Sequence, residues 1–489
     1  MRRPTVTLAG ALLVLAMLSA AAVAARFVTV RGYIANVTTR SNTGAIQSAQ
    51  TDDWPQLQHD PQRTGYAPLS IQPPFKLAWY RNFQPERVGR DVQAVICAGQ
   101  VYVPTMAGNL YALDASTGAE LWVYPVGSPV LHTAACTGDR VVVAAIDGSV
   151  HAVSAADGQS LWVFRARGHT GFSAAPLIAE SMVYIGERSG LFYAIDLTSG
   201  EERWAFDASA PIFNTAAYDA GRVFFCDESL RVHALDAQSG SQLWVSEQLY
   251  GQSCKQYHPV VYQGYVLIRP MMTHRIGIID GIPPFNRTWD SATYQARLAQ
   301  YAGVINGQPL SQDLLDAQQD ILNYYTNNPH EQSLFVLNAS DGQQAFIPPH
   351  FHHMTLPGPP PPPVVDGLHG GVIIPWTFIG YGWGHLDLQQ RRVTYVVIPP
   401  GDGGNHDESV NVSMGGPLWF MFHAQEGNAQ YTGIFDWTDG QFYTFSNSQV
   451  PKRNWQLTDN ANNGNNSVSV ASGHFFHITF HQLAAWTSQ

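Results

Sequence analysis

The stretch that decides the fold is A-L-D-A-S-T-G-A-E-L-W, from Ala112 to Trp122. Close copies of it end at Trp162, Trp204 and Trp244, so successive tryptophans are 40, 42 and 40 residues apart. An internal period of about 40 residues is typical of propellers and solenoids. Weaker copies follow further along the chain, which brings the total to eight, and their markers are Asn338, Asp387, Asp436 and Thr479.

Each copy predicts two strands joined by a tight turn. Apolar residues alternate up to Asp114, whose carboxylate can bond the turn backbone, and Gly118 suits a left-handed conformation. Two strands upstream, Val92–Ile96 and Gln100–Thr105, complete a four-stranded antiparallel unit. The sequence therefore predicts an all-β fold, an eight-bladed β-propeller. Because one blade cannot bury both its faces, we expect the tryptophans to pack between neighbouring blades.

The first strand of the chain is expected to close the ring. L-A-W at Leu77–Trp79 is similar to the L-W at the end of the repeat, and pairing it into blade 8 would hide an open sheet edge. L-A-A-W at Leu483–Trp486 competes for the same place, so the register of closure stays open.

Composition excludes several classes of protein. Charged residues make up 13% of the 489 residues, against about 25% in typical globular proteins, and hydrophobic residues make up 45%. Disorder and coiled coil are therefore excluded. The formal net charge is −11, the wrong sign for a surface that neutralises phosphates, so no nucleic-acid partner is expected.

The N-terminus predicts export. Arg2 and Arg3 precede an apolar run from Leu8 to Ala25, which ends in small residues as signal peptides do. The run is also long enough to span a bilayer at roughly 20 residues, so residues 1–25 are either a signal peptide or an uncleaved membrane tether. Residues 26–51 are expected to be a flexible leader. The body, residues 52–489, is then extracytoplasmic: periplasmic, secreted or at the cell surface.

One repeat carries an insertion. Gly240 and Gly342 are 102 residues apart, and the surplus lies at about 270–331. Apolar residues at helical spacing predict helices at 291–302 and 311–325. Because this loop joins a second and a third strand, it leaves the ring on the face where each blade is entered. We expect a lid or a docking platform for a partner, with packing on the propeller itself as the alternative.

Polar residues recur where blades begin. They are expected to form a ring around the central funnel and to bind a ligand or a protein, with a purely structural role as the alternative, and they are Asp91, His132, His169, Asn214 and His258.

Two loops carry candidate metal ligands. The His- and Pro-rich loop 348–363 offers imidazoles for zinc or copper at His350, His352 and His353. Residues 401–408 offer oxygen ligands for calcium without EF-hand spacing, at Asp402, Asn405, Asp407 and Glu408. Solvated loops are the alternative in both cases.

Four cysteines in an exported chain favour disulfides. Cys97 and Cys136 occupy nearly the same point in consecutive repeats, and Cys226 and Cys254 face one end of adjacent blades. We therefore expect the bridges Cys97–Cys136 and Cys226–Cys254, with four buried thiols as the alternative.

The repeat resembles a known family. The pattern A-x-D-x-x-T-G-x-x-x-W, complete at 112–122, is similar to the tryptophan-docking repeat of quinoprotein-like (PQQ-like) β-propellers, a branch of the wider WD40/YVTN-like superfold. The resemblance covers about residues 52–489. It includes the start at Asp53–Pro68, which matches the family pattern at Trp54, Pro55, Asp60, Thr64 and Tyr66.

The resemblance implies two functions. Alcohol dehydrogenases of the family carry adjacent cysteines beside the quinone, and no two of the four cysteines here are neighbours. Lipoprotein scaffolds of the family need an anchoring cysteine, and Cys97 is the first in this chain. We expect a non-catalytic scaffold, without catalytic residues, that binds a ligand or protein at the funnel face. The alternatives are a divergent PQQ- and calcium-dependent alcohol or sugar dehydrogenase, with an Asp base and an Arg on the quinone, and a structural assembly component.

Overall fold

The Asp-x-x-x-Gly copies form tight turns between the third and fourth strands of successive sheets. The computed structural model of the protein describes residues 52–69, 71–255, 257–271, 312–350, 361–376, 382–397, 409–424, 430–446 and 466–489. These residues form eight blades of a β-propeller ring, each containing four antiparallel strands. The predicted fold class is confirmed.

The strands are numbered along the chain, starting with β1 (Tyr66–Ala67) and β2 (Phe75–Asn82). The first four blades each use four consecutive strands, from the axis outward. Blade 1 contains β3 (Val95–Cys97), β4 (Gln100–Pro104), β5 (Asn109–Asp114) and β6 (Glu120–Pro125). Blade 2 contains β7 (Ala135–Cys136), β8 (Arg140–Ala144), β9 (Ser149–Ser154) and β10 (Ser160–Arg165). Blade 3 contains β11 (Leu177–Ala179), β12 (Met182–Gly186), β13 (Leu191–Asp196) and β14 (Glu202–Asp207). Blade 4 contains β15 (Ala217–Asp219), β16 (Arg222–Cys226), β17 (Val232–Asp236) and β18 (Gln242–Val245).

The second half of the ring is built in the same way. Blade 5 contains β19 (Val260–Tyr262), β20 (Tyr265–Ile268), β21 (Phe335–Asn338) and β22 (Gln344–Phe346). Blade 6 contains β23 (Val364–Val365), β24 (Val372–Trp376), β25 (Gly382–Asp387) and β26 (Arg392–Val397). Blade 7 contains β28 (Ser413–Gly415), β29 (Leu418–Ala424), β30 (Gln430–Asp436) and β31 (Gln441–Ser446), and blade 8 contains β32 (Asn466–Ala471), β33 (His474–Ile478), β34 (Gln482–Ser488) and β2. Two further strands pair in parallel with the innermost strands of blades 7 and 8: β1 with β28, and β27 (Ser409–Asn411) with β32.

The ring closes through the N-terminal strand, as predicted. β2 is the outermost strand of blade 8 and pairs antiparallel with β34, with Leu77 opposite Trp486. Both competing segments therefore belong to blade 8: Leu77–Trp79 lies in its fourth strand and Leu483–Trp486 in its third. The alignment of the eighth copy was wrong by one strand, because the segment ending at Thr479 forms the second strand of its blade and not the third. Its apolar alternation is the same in both strands, and no turn of the Asp-x-x-x-Gly type follows it.

The tryptophans pack between blades, as expected. The indole Nε1 of Trp122 donates to the carbonyl of Ala155 in the next blade at 3.0 Å, and Trp162 donates in the same way to Leu197. Each indole packs against a core shared by the two neighbouring blades: Trp122 against that of blades 1 and 2, and Trp162 against that of blades 2 and 3. The inner strands are almost wholly buried, while the outermost strand of blade 1 alternates between half-buried and exposed residues. Stability therefore lies mainly between blades rather than within them.

The described part of the insertion is helix α1 (Gln312–Asn327), followed by a short 3₁₀ turn at Pro329–Glu331. The Gln318 amide bonds both the N–H and the carbonyl of Val393, on the outermost strand of blade 6, at 2.8 and 3.0 Å. Ile321 and Tyr325 are buried in the core shared by blades 5 and 6. This helix therefore packs on the propeller. The helix predicted at 291–302 lies outside the described residues.

No helix in the portion of the chain that the structure describes has both the length and the apolar character needed to cross a bilayer. The predicted signal or tether at 1–25 and the leader at 26–51 lie outside that portion.

Candidate functional site

The segment Asp52–Ala67, called the axial segment below, runs around the propeller axis and contacts every blade. The innermost strands would otherwise leave backbone groups unpaired at the axis. The axial segment accepts hydrogen bonds from blades 8 and 1 to 7 in that order, at Asp52 from Ser472, Trp54 from Ile96, Pro55 from Cys136, the Gln56 side chain from Ile178, Pro61 from Tyr218, Gln62 from Val261, Thr64 from Val365 and Gly65 from Met414. In blades 1 to 7 the donor is always the second residue of the innermost strand.

Side chains of the axial segment fill the axis. Trp54, Leu57, Gln58 and Arg63 have no solvent-exposed surface. The Gln58 amide donates to the carbonyl of Val412 at 2.9 Å, and the guanidinium of Arg63 donates from Nε to Ala216 at 2.9 Å. Burial lowers the pKa of Arg63 to about 9, against the opposing effect of the Asp60 charge. The axial segment is thus a polar floor beneath the funnel.

A belt of buried polar residues lies on the funnel side of this floor. Its members stand two residues before their innermost strands, and they are Gln93, Thr133, Thr215, His258 and Asn411. Neighbouring blades bond through the belt, for example from the Gln93 N–H to the Thr133 hydroxyl at 2.8 Å. Ala175 repeats this bond to the Thr215 hydroxyl at 2.9 Å.

The structure places four of the five predicted funnel residues next to this belt. His258 belongs to the belt, and His132 and Asn214 come one residue earlier in their blades. Asp91 comes two residues before Gln93 and forms a bridge with the backbone of His132. His169 is exposed, in the connection between blades 2 and 3, and stands apart from the other four.

The two belt-level histidines are neutral near pH 7. Burial lowers the pKa of His132 to about 4, with Asp91 opposing and Arg63 adding to the effect. Burial also lowers the pKa of His258 well below its usual value, and the charges of Arg63 and His132 lower it further. The charge of Arg63 thus lowers the pKa of both imidazoles.

The predicted metal loops are only partly described. His350 is buried, and its Nδ1 lies 2.8 Å from the Ser333 hydroxyl. His352, His353, Asp402, Asn405, Asp407 and Glu408 lie outside the described residues. Among the residues that the structure does describe, no three His, Cys, Asp or Glu side chains are grouped as metal ligands. The described residues therefore do not fit a calcium site of the kind a quinone dehydrogenase needs.

Both predicted disulfides are present. Cys97 pairs with Cys136 across blades 1 and 2, and Cys226 pairs with Cys254 across the junction of blades 4 and 5. The Cα separations are 6.3 and 6.2 Å. Each bridge joins neighbouring blades. No contact among the described residues links either cysteine pair to Arg63.

Acid–serine–histidine groups recur elsewhere in the ring, at the connection between second and third strands. In blade 4, Asp227 lies 2.8 Å from His233 Nε2 and accepts from the Ser229 hydroxyl at 2.5 Å. Because the hydroxyl points to the carboxylate, it is not placed as a nucleophile activated by the imidazole. Asp147 and Glu187 hold the same position in blades 2 and 3, and each accepts from a serine two residues further on, but Glu187 accepts from the Tyr193 hydroxyl where blade 4 has a histidine. The recurrence indicates a structural role in the turn.

Sequence reasoning missed the floor residues Gln58 and Arg63 and the belt residue Gln93. The first two lie in the stretch Q-H-D-P-Q-R-T-G-Y, which was matched to the family start without a role. Six polar residues within nine positions, without the apolar alternation of a strand, are the signal that could have pointed to a buried polar contact.

Comparison with known proteins relates the repeat region to a described protein family. The family model described as outer membrane protein assembly factor BamB matches residues 43–179 and 168–271. The BamB protein of Yersinia pestis is 28% identical over 207 residues, which cover 40% of this chain and 51% of that protein. The quinoprotein ethanol dehydrogenase of Pseudomonas aeruginosa is 38% identical over 79 residues, covering 14% of this chain and 13% of that protein. The chain thus spans about half the length of two curated BamB relatives that it matches.

Among solved structures, the quinohemoprotein alcohol dehydrogenase of Comamonas testosteroni superposes with a TM-score of 0.55 at 14% identity. The match covers 93% of this chain and 84% of that chain. At this level of identity the likeness shows a common fold and nothing about activity.

Proposed function

We propose that this chain, a β-propeller of the PQQ-like repeat family, is an extracytoplasmic, non-catalytic scaffold that binds a ligand or a protein partner. The binding face is the one from which the innermost strands are entered, called the funnel face. One observation carries the proposal: the axial segment bonds to all eight blades, and in blades 1 to 7 it does so at the same position of the innermost strand. A ring held from its centre is a rigid platform, and rigid platforms with loops gathered on one face suit recognition.

The sequence relatives support a protein partner. The matching family model and the Yersinia pestis protein are both described as outer membrane protein assembly factors. The same names support a location outside the cytoplasm, as the N-terminal apolar run does. Because the matches cover only part of those proteins, we do not assign their partners to this chain. We propose only that its partner is a protein that binds at the funnel face.

The dehydrogenase alternative has one observation in its favour. That observation is the short match to a quinoprotein ethanol dehydrogenase, with which the fold is compatible. Arg63, buried at the axis, is one described residue whose guanidinium could pair with a quinone carboxylate or oxygen. Such a cofactor would supply the redox chemistry, and its calcium would need ligands other than those that the structure describes.

Site-specific crosslinking tests the scaffold proposal. A photoreactive residue is placed at His169, which is exposed at the start of blade 3, and in a matched variant at Leu243, which is exposed on an outermost strand of the rim. We expect one defined protein to crosslink at His169 in the native host and not at Leu243. Equal crosslinking at both positions, or none at His169, would contradict a funnel-face platform.

An activity assay tests the alternative. The purified full chain is incubated with pyrroloquinoline quinone and calcium, and dye-linked oxidation of alcohols and sugars is measured. The scaffold proposal expects no oxidation above the protein-free control. Turnover that disappears in Arg63→Met would favour the dehydrogenase instead.

A further inference from the structure

The outermost strand of blade 1 presents an apolar face at an open sheet edge. Among the described strands, β6 pairs only with β5 and is the last strand of its sheet. Leu121 and Val123 point to the same side of β6 and are 47% and 37% exposed. In blade 3 the position of Leu121 is taken by Arg203, a charge of the kind that protects a sheet edge from further pairing. The edge of β6 lacks that protection at this position, so it is suited to accept another strand.

The axial segment joins the ring beside this blade. Asp53 Oδ1 accepts from the N–H of Ala98, in the first turn of blade 1, at 2.9 Å, and Asp52 accepts from Ser472 in the first turn of blade 8. The outer strand of blade 8 carries Lys76 and Arg81, whereas exposed apolar pairs like that of β6 recur only further round the ring among the described residues, at Leu161 and Val163 in blade 2 and at Leu243 and Val245 in blade 4. Blade 1 is therefore the blade with an open apolar edge at the point where the chain preceding Asp52 joins the ring.

The sequence before Asp52 contains a stretch that favours a strand. F-V-T-V-R-G-Y-I-A-N-V-T, residues 27–38, consists mainly of aromatic and β-branched residues and lies outside the described part of the chain. Residues 39–51 join it to the axial segment, and at about 3.3 Å per residue they can span about 43 Å. A fifth strand of a blade lies about 20 Å from the innermost strand, at about 4.8 Å per strand. The connection is therefore long enough to reach the edge of β6.

Charge favours the same contact. Residues 26–51 contain three arginines and no acidic residue. The turns of blades 1 and 2 on the side where Asp53 lies carry Asp114, Asp139 and Asp157, and the neighbouring Arg140 is already paired with Asp139 at 2.7 Å. A cationic segment that runs from the axis to the rim of blade 1 passes this acidic side of the ring, where opposite charges attract it.

We propose that residues 27–38 of this chain add to the open edge of β6 as a fifth strand of blade 1. The added strand pairs with the backbone groups that β6 does not use within its sheet, and its apolar side chains cover Leu121 and Val123. For residues 27–38 this replaces the expectation of a flexible leader, and residues 39–51 remain a connection. The inference goes beyond the proposed function, because it concerns the rim and not the funnel face. Where residues 1–25 are retained as a tether, the added strand turns blade 1 towards the membrane.

Photocrosslinking in the full chain tests the pairing. A photoreactive residue replaces Leu121, and in a matched variant it replaces Leu243, which is 50% exposed on the outer strand of blade 4. We expect the residue at position 121 to crosslink to a peptide from residues 27–38 of the same molecule, identified by mass spectrometry, and the residue at position 243 not to do so. Crosslinks between two molecules would identify the segment of a second copy, and crosslinks to another protein alone would identify a partner. Either result, or no crosslink at position 121, overturns the pairing within one chain.

Amide hydrogen exchange measures the same contact without a probe. Ile34→Pro removes a backbone donor from the added strand, and Leu121→Arg sets a positive charge against the arginine-rich segment. Each variant is expected to speed exchange of the remaining β6 amides by at least about tenfold. Leu243→Arg is the matched control and should leave β6 as in the parent. Thermal unfolding of each variant checks that the ring is intact, as expected for an exposed position and for one that precedes the ring.

Equal exchange of β6 in the parent and in both test variants would overturn the added strand. Crosslinking from His169 does not depend on β6, so the scaffold proposal is judged separately by its own experiment.

Discussion

Trp204 of blade 3 lies directly on Gly240 of blade 4. The indole Nε1 donates to the carbonyl of Ala237 at 3.0 Å, and a Cβ added to Gly240 would come within 2.6 Å of the indole Cδ2. Gly118, Gly158, Gly200 and Gly342 meet the tryptophan of the preceding blade in the same way. The glycine of the repeat therefore serves both the turn and the neighbouring indole.

The first prediction concerns this contact. Gly240→Ala is expected to lower the free energy of unfolding by about 1–3 kcal/mol more than Gly221→Ala does. Both glycines have a positive φ, +73° and +77°, but an added Cβ at Gly221 meets nothing within 4 Å. Urea unfolding of the two variants measures the difference, which isolates the indole contact from backbone strain.

A double variant completes that test. In a Trp204→Leu background the clash is relieved, so Gly240→Ala should then cost no more than Gly221→Ala. An unchanged excess cost would mean that the indole is not what excludes the Cβ.

The second prediction concerns the axial segment. Trp54 is fully buried, and Trp54→Ala should lower the free energy of unfolding by about 3–5 kcal/mol through the cavity it leaves. Tyr80→Ala, on an aromatic residue that is 38% exposed in β2, should change it by less than about 0.5 kcal/mol. Similar effects of the two variants in chemical unfolding would argue against a structural role for the axial segment.

The third prediction concerns the bridges between blades. The chain-entropy model assigns each disulfide about 3–4 kcal/mol for loops of 39 and 28 residues. The double variant Cys97→Ala and Cys136→Ala should therefore unfold at a lower denaturant concentration than the parent. Adding a reductant should lower the unfolding midpoint of the parent towards that of the double variant. A variant without any cysteine serves as the control, since a reductant should leave it unchanged. A parent insensitive to full reduction would contradict the prediction.

The fourth prediction concerns pH. Burial lowers the pKa of His477 in the folded protein to about 3, while an unfolded histidine titrates near pH 6.5. Between these values the unfolded chain binds more protons, so the free energy of unfolding falls as the pH falls from about 6.5 towards 3. His477→Gln should make this decline shallower. His169→Gln should not, because His169 is exposed, and equal slopes in all three proteins would disprove the assignment.

The fifth prediction concerns a buried carboxylate in blade 6. Burial would raise the pKa of Asp366, but the hydrogen bond and charge of His369, the charge of His385 and the bond from Tyr395 outweigh it and lower the pKa to about 2. The stability that this carboxylate contributes is present above about pH 4 and is lost as the pH falls towards 2. Asp366→Asn should remove that acid-dependent part of the unfolding free energy. The prediction would be contradicted if the free energy of unfolding of Asp366→Asn fell between about pH 4 and pH 2 as steeply as that of the parent.

Much of the fold could be predicted because its signals are local. The alternation before Asp114, the turn to Gly118 and the indole of Trp122 lie within eleven residues, and the period repeats them. The pairing of Cys97 with Cys136 followed from the same period, since equivalent points of consecutive repeats meet in adjacent blades. Where the repeat pattern is weaker, as in the segment ending at Thr479, the strand assignment was wrong by one strand.

The site was predicted only in part. His132, Asn214 and His258 were expected at the funnel from their places before inner strands; the structure places His258 in the belt and the other two one residue before it, and their binding role stays a prediction. His169 shares that sequence context, yet a longer connection carries it to the surface.

Sequence alone determined a ring of eight four-stranded blades. The repeat period, the Asp-x-x-x-Gly turn and the tryptophan are all properties of short stretches that recur along the chain. Only the tertiary structure decided that the axial segment circles the axis and that Arg63 donates there to the carbonyls of Leu57 and Ala216. Gln58 bonds Val412, which is 354 residues away. Such a contact exists only once the ring has closed, so its partners leave no common pattern in the sequence.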